Sequence, residues 1–264
     1  MLDWQRCPSW ADLPISSCKT YRAFDLVSAQ TTETMEHIQR LRGRDDIRKD
    51  GSLKPSAPPL TVDQQALEHL QAMLRGRRVH LVAPSHANTE AVALEAFHNV
   101  LDASPTDLLI IAPRDVSRAN SICDLASGLN VGVRSRGDEP APTVNVYVAD
   151  TIGEMGLWYC LASSALIGGS FSDIEGHNPW EAVQQNCGVI HGPRVQNFEE
   201  DYAMLDACGG AIRVETAEGL AQAWQTENWD ATTDAAQDLR RKQAAKVDVL
   251  IKDLLALLDE KDAA

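Results

Sequence analysis

The sequence predicts a doubly wound α/β fold, and three observations carry that prediction. From Val79 onward, short apolar runs rich in β-branched residues alternate with amphipathic stretches of helical period. Runs such as Leu108-Leu109-Ile110-Ile111 are apolar without interruption, as strands buried on both faces must be. Helix candidates lie between most of these runs, the arrangement of a parallel sheet wrapped by helices.

In chain order, Phe24–Ala29 reads as a strand, Thr31–Leu41 as a helix and Lys54–Pro59, with three prolines, as a linker. One strand and one or two helices cannot close a core, so residues 1–54 read as the remnant of a separate domain, followed by a linker and first helix over 55–76. The sheet domain spans 77–230, with strands at Val79–Ala83, Leu108–Ala112, Val131–Arg134, Val144–Ala149, Ala165–Gly168, Gly188–His191 and Ala211–Val214. Thr89–Leu101 places Ala91, Leu94, Glu95 and His98 at helical spacing, and Val116–Leu129 places Ile122, Leu125 and Leu129 on one stripe. The C-terminal segment 231–264 is predicted as a long helix over 232–262, with Leu239, Val247, Leu250, Ile251, Leu254, Leu255 and Leu258 on its apolar side.

Composition narrows the function. The 264 residues are 44% hydrophobic, enough for a sizeable core, and carry a net charge of -14. Nucleic-acid binding needs clustered Lys and Arg, and the short Arg75-Gly76-Arg77-Arg78 turn does not supply it. Cysteines at 7, 18, 123, 160, 187 and 208 form no CxxC pair, so reduced thiols in a cytoplasmic protein are expected and no metal site is. Asp3, Gln5 and Arg6 interrupt any secretory leader. The charge-free run Met155–Ser172 is split by Ser163-Ser164 and Gly168-Gly169-Ser170 into a short helix and a strand, so it reads as no membrane span.

In an open parallel sheet, ligands bind beyond the carboxyl ends of the strands. The segment Gly168–Glu181, GGSFSDIEGHNPWE, follows an apolar strand with a glycine turn and a polar helix start. Gly169 and Ser170 let a backbone approach a phosphate, Asn178, Pro179 and Trp180 open the helix, and Glu181 is placed to hold a sugar hydroxyl. A plain glycine-rich αβ loop accounts for the same residues. Pro113-Arg114-Asp115 sets a guanidinium at a strand end, either for phosphate or paired with a neighbouring acid. In Asp150-Thr151-Ile152-Gly153-Glu154, Asp150 or Thr151 can cap the next helix while Ile152 and Gly153 offer main-chain groups to a flat base. In Pro84–Glu90, Ser85 or Asn88 can cap, and His86 is either a packed loop residue or a ligand contact. His191-Gly192-Pro193-Arg194 with Asn197-Phe198 closes a strand on the same rim. No Ser-His-Asp order, no HExxH and no paired carboxylates in a suitable context are present.

The order PR…DTxGE…GGS…GHNPxE…GPxxxNF resembles the C-terminal half of the 3-deoxy-D-manno-octulosonic acid (Kdo) transferases, with gaps, from about Phe24 to the last helix. Phe24–Gln30 resembles the family's FDLVLAQ strand and Gly51–Lys54 its GNLK segment. The resemblance implies a GT-B-type fold of two Rossmann-like domains, of which this chain holds the C-terminal, CMP-Kdo-binding one and a remnant of the N-terminal, acceptor one. It implies that Pro113 and Arg114 hold the donor, that Ile152, Gly153 and Glu154 lie beside cytidine, and that Asn178 to Glu181 hold phosphate and ribose.

The implied activity is that of a lipopolysaccharide glycosyltransferase moving Kdo from CMP-Kdo to a lipid A precursor, with no cofactor or metal beyond the donor. Peripheral association with the cytoplasmic face of the inner membrane, or a separate acceptor-domain chain, is implied as well. The family's general base lies in its N-terminal domain, so no catalytic residue is assigned here. The chain departs from the family at Asp115, where PRH has His, at Ile152, where DTMGE has Met, and at Trp180, where HNPLE has Leu. Rival expectations are a catalytically incomplete cytidine-nucleotide-binding fragment, half of a split enzyme, or another GT-B enzyme such as a sugar-nucleotide epimerase.

Overall fold

A computed structural model of the protein describes residues 20–226 and 228–262. The chain forms two compact units, one of Met1–Ser56 with Lys242–Ala264 and one of Ala57–Arg241.

The larger unit is an α/β sheet domain. Its strands β3 (Val79–Ser85), β4 (Leu108–Pro113), β5 (Val131–Val133), β6 (Val146–Val148), β7 (Ser164–Ile167), β8 (Gly188–His191) and β9 (Ala211–Arg213) lie in the order β5-β6-β4-β3-β7-β8-β9, every pair parallel. Each predicted strand is present. Helices α2 (Gln64–Met73), α3 (Ala87–Ala103), α4 (Ala119–Leu125), α5 (Met155–Leu161), α6 (Trp180–Gln184), α7 (Glu199–Cys208) and α8 (Ala217–Trp224) connect and cover them.

Burial on both faces explains the uninterrupted apolar runs. Leu81, Leu108, Ile110, Tyr147, Trp158 and Trp180 enter one core layer, and Val82, Leu109, Ile111, Phe97 and Trp224 enter the other. Successive strand residues point to opposite faces, so Leu108-Leu109-Ile110-Ile111 feeds both layers in turn.

The chain leaves β3 toward β4 on one side and restarts at β7 on the other. Connections therefore diverge between β3 and β7, and a crevice opens there at the strands' carboxyl ends. Gly168 makes that junction sterically feasible. A Cβ on it would lie 1.7 Å from the Pro84 carbonyl oxygen, so only glycine lets the two loops approach so closely.

Several local expectations are corrected. The stretch Val116–Leu129 is not one helix: Val116–Arg118 forms a 3₁₀ turn before α4 begins at Ala119. Asp115 causes the break, because its carboxylate accepts from the Ser117 amide at 3.0 Å and satisfies the turn. Neither Ser85 nor Asn88 caps α3; His86 occupies the cap without a side-chain bond, and Ser85 Oγ donates instead to Glu90 at 3.0 Å. Asp150 does not cap α5 either, since its carboxylate accepts from the amide and hydroxyl of Ser135 at 2.8 and 2.6 Å. The run Met155–Ser172 is indeed helix, strand and turn. No helix among the described residues is long and apolar enough to cross a membrane.

The smaller unit has strands β1 (Ser28–Ala29) and β2 (Arg48–Lys49), paired in parallel, and helix α1 (Thr32–Arg42). The predicted Phe24–Ala29 strand shrinks to two residues, and its partner β2 lies in a charged stretch with no apolar signal. Thr31 caps α1 by accepting from the Thr34 amide at 3.1 Å, and Gly43 ends it in the left-handed region at φ 67. Ala29, Ile38 and Ile47 form its small core. Arg42 is buried beside them and holds Asp46 at 2.8 Å and the Phe24 carbonyl at 2.8 Å.

Helix α9 (Asp230–Asp262) has its residues through Arg241 in the larger unit and the remainder in the smaller. Its predicted apolar side is only partly covered: Val247 and Leu250 are buried, but Ile251, Leu254, Leu255 and Leu258 are exposed. Cys123, Cys160, Cys187 and Cys208 are free thiols; Cys7 and Cys18 lie outside the described residues.

Candidate functional site

The crevice is assembled from the loops that follow β3, β4, β6 and β7, all in the larger unit. A cavity of about 180 Å³ opens there, lined among others by Pro84, Pro113, Arg114, Ile152, Gly153 and Trp158. Its lining is largely apolar, with Ala112 near the end of β4, Ala149 just after β6, and the buried Trp158. Ile152 is 88% exposed and forms a lip of this cavity. An exposed isoleucine beside a cavity supplies an apolar face to whatever enters.

Pro113, Arg114, Ile152 and Gly153 thus line one cavity although 38 positions separate Arg114 from Ile152 in the chain. Arg114 is exposed, and its guanidinium has no hydrogen bond or ion pair with any described residue. Its backbone amide is fixed to the Ser85 carbonyl at 3.0 Å, so the base of the side chain is held while its charge is open. Gly153 adopts φ 92, a left-handed turn that a side chain would strain.

Glu154 is otherwise engaged. Its carboxylate takes both arms of Arg134, at 2.7 and 3.1 Å, and also accepts from the Thr151 hydroxyl. The Arg134 bond holds the Glu154 carboxyl below its ordinary range. Arg134 also lies 5.6 Å from the centre of the Trp158 ring. This Arg134–Glu154–Trp158 set fixes the 151–154 loop against the cavity floor. Arg134 was not singled out in the sequence, because nothing in a lone arginine after a short strand announces a partner 20 residues on.

The loop after β7 meets the loop after β3 at the Gly168–Pro84 contact. Gly169, in the left-handed region at φ 75, donates its amide to Thr89 Oγ1 at 3.2 Å. Ser170 is fully buried; its hydroxyl donates to the Ile167 carbonyl at 2.7 Å and accepts from the Gly192 amide at 2.9 Å. Both residues shape the loop from within. Asn178 Oδ1 accepts from the Trp180 amide at 3.1 Å, and its Nδ2 donates to Glu181 at 3.3 Å. Pro179 caps α6, and Trp180 is buried with its indole donating to Asp201 at 2.9 Å. Glu181 is half-buried, and its charge raises the already desolvated Tyr159 phenol, whose hydroxyl meets the Ala83 carbonyl at 3.4 Å.

Two histidines bridge the sides. His86, before α3, and His177, before Asn178, meet nitrogen to nitrogen at 2.7 Å. Burial, then the neighbouring His86, then the positive charge of Arg114 push His177 down to about 4. Burial lowers His86 as well, opposed by Glu90 and assisted by Arg114 and Arg118. Arg114 and the 177–181 segment thus share one rim. Behind it, Arg118 pairs with the fully buried Glu90. The first turn of α3 has no side-chain cap, so its free amides and positive dipole end add to the rim. Among the described residues, no three His, Cys, Asp or Glu side chains converge as metal ligands do.

No family model matches the chain. The chain is 30% identical over 199 residues to a 3-deoxy-D-manno-octulosonic acid transferase of Rickettsia bellii, covering 75% of this chain and 47% of that protein. It is 33% identical over 201 residues to the transferase of that name from Bordetella pertussis, covering 73% and 46%. The chain thus spans about half the length of these curated relatives. Among solved structures, the C-terminal CMP-Kdo binding domain of WaaA from Acinetobacter baumannii superposes with a TM-score of 0.58 at 24% identity, over 71% of this chain and 96% of that one. An α,α-trehalose 6-phosphate synthase from Burkholderia multivorans superposes with a TM-score of 0.50 at 13% identity, over 93% and 61%. These likenesses show a Rossmann-like sheet of the kind found in GT-B glycosyltransferases. Over about three quarters of its own length, the chain is thus similar in sequence to 3-deoxy-D-manno-octulosonic acid transferases.

Proposed function

We propose that the crevice binds CMP-Kdo, and that the chain is the donor-binding part of an enzyme transferring Kdo to a lipid A precursor in lipopolysaccharide assembly. The observation that carries this reading is Arg114, an unengaged guanidinium at the mouth of an apolar cavity beyond the carboxyl ends of β4 and β6. In this reading the cytosine ring lies on the Ala112–Ala149–Trp158 floor under Ile152, with the Ile152 and Gly153 main chain reading its edge. Arg114 and the uncapped amides of α3 face the phosphate. Glu181, held by Asn178, takes a ribose hydroxyl.

Kdo transfer breaks the bond between the sugar's anomeric carbon and the phosphate oxygen, and the acceptor hydroxyl forms the new one. Negative charge then grows on the departing phosphate. A fixed guanidinium and fixed amide dipoles stabilise that charge more than they stabilise the intact donor, which lowers the barrier. In this proposal no metal ion assists, and chelator leaves binding unchanged. The base that takes the acceptor's proton is assigned to no residue of this chain. Site of action at the cytoplasmic face of the inner membrane is part of the same proposal.

Calorimetry with CMP and UDP tests the reading. CMP is expected to bind and UDP to bind more weakly, and Arg114→Ala is expected to weaken CMP by about tenfold or more, the worth of a charged hydrogen bond. Equal binding of both nucleotides, or an Arg114→Ala variant indistinguishable from the parent, contradicts it. A turnover assay with CMP-Kdo and a lipid A precursor then separates an active transferase from a nucleotide-binding fragment.

A further inference from the structure

The His86–His177 pair is a contact of unusual chemistry, and the roles given above to the nucleotide-holding residues leave it unused. The imidazole planes are 10° apart and their centroids 5.0 Å apart, with Nε2 to Nε2 at 2.7 Å. That centroid distance is what two coplanar imidazoles have when they meet edge to edge, so the rings are joined by an in-line N–H···N bond and do not stack face to face. One ring must then carry hydrogen on Nε2 while the other presents its lone pair. Two Nε2 hydrogens cannot fit between nitrogens 2.7 Å apart. The pair therefore accepts one added proton, at the free Nδ1 of the donating ring, and becomes a single shared cation.

The charged groups around it decide when that happens. Arg114, from the loop after β4, repels the proton from both rings. Arg118 repels it from His86, and Glu90, from α3, attracts it there. Glu90 is bound by Arg118 and Ser85, yet its attraction on His86 still outweighs the repulsion from Arg114. His177 also packs under α7, where Tyr202 donates to its carbonyl at 2.8 Å and adds no charge. Burial is the largest obstacle to the proton on both rings; an anion seated on Arg114 cancels that arginine's repulsion and adds an attraction of its own.

We propose that His86 and His177 form a proton-accepting anion subsite, which takes up one proton when a phosphate monoester binds beside Arg114 and thereby holds it. The pair positions the phosphate and is not assigned to bond breaking. This inference rests on the nucleotide-binding reading and adds to it a requirement that reading lacks: binding must be coupled to proton uptake. Sign follows from the charges, since the bound anion raises the proton affinity of the pair and binding therefore tightens as pH falls.

The test is calorimetry of the full chain with CMP, and separately with methyl phosphate, in buffers of different ionisation heat at about pH 7.5, where a phosphate monoester is already dianionic because its second pKa is about 6. The dependence of the heat on the buffer counts protons. Uptake of more than about 0.3 proton per ligand is expected in the parent, with loss of that uptake in both His86→Gln and His177→Gln. Arg114→Ala is expected to weaken binding in the same experiments. Unfolding midpoints show that the variants are folded, and ¹⁵N imidazole spectra of the parent, in which both rings must shift together on ligand addition, read the pair without any substitution. Binding without uptake, uptake that survives both substitutions, or rings that titrate independently overturns the inference. Should methyl phosphate bind with uptake while CMP does not bind, the subsite stands and the nucleotide reading fails.

Discussion

Arg114 and Glu154 show how differently two charges of one rim are used. Arg114 keeps its guanidinium open, whereas Glu154 spends its carboxylate on Arg134 and Thr151. Glu154 is consequently a loop-holding group, and its contribution to stability has a definite pH window. Its folded pKa is depressed, so the stabilisation is present above the ordinary carboxylate range and is lost as pH falls through the folded value. Both side chains are about a quarter exposed, which limits the pair to about 1 kcal/mol. Glu154→Gln is expected to cost about that much at neutral pH, with the difference from the parent in urea unfolding shrinking as pH is lowered through the acid range. A full difference persisting in acid would show that the charge is not what matters. At the same scale, Trp180→Phe removes the donor of the buried Asp201, a carboxyl already raised by burial. Loss of about 1–3 kcal/mol in urea unfolding is expected, the cost of an unsatisfied buried acceptor.

At the scale of elements, the junction of the β3 and β7 loops governs the crevice. Gly168→Ala forces a Cβ onto the Pro84 carbonyl at 1.7 Å, a clash that only backbone movement relieves. The thermal midpoint of that variant is expected to fall by at least about 2–4 °C, as follows from a loss of more than about 1 kcal/mol in a unit of this size. An unchanged midpoint would mean the loops do not meet as described. The seven strands were legible because burial on both faces writes unbroken apolar runs, and the rim was legible because glycine, proline and arginine mark strand ends. Strand order was not, since β6 inserts between β5 and β4 against chain order and nothing local records it. The His86–His177 and Arg134–Glu154 contacts join residues 91 and 20 positions apart, and no periodicity links such pairs. Caps misled for the same reason: Asp150 and Ser85 have good capping chemistry, but tertiary partners Ser135 and Glu90 claim them. Strand β2 was missed because its pairing uses main chain alone.

For the whole molecule, the two units differ in what holds them. The larger has two extensive apolar layers, whereas the core of the smaller among the described residues is Ala29, Ile38 and Ile47, supplemented by charged contacts such as Arg48–Asp50 at 2.8 Å. Few buried apolar contacts mean low local stability, so amides of residues 28–49 are expected to exchange hydrogen much faster than those of β3, β4 and β7. Equal protection would require more packing around the smaller unit than is described here. The sequence likeness concerns about half of a relative's length, and the chemistry proposed for that half is the capture of a cytidylate by a free guanidinium and main-chain amides. The most direct measurement is the binding heat of CMP to the parent chain and to Arg114→Ala at one pH and salt. A saturable heat that weakens at least about tenfold in the variant is the predicted result. No saturable heat with the parent at millimolar CMP, or identical affinities for the two proteins, would contradict the account.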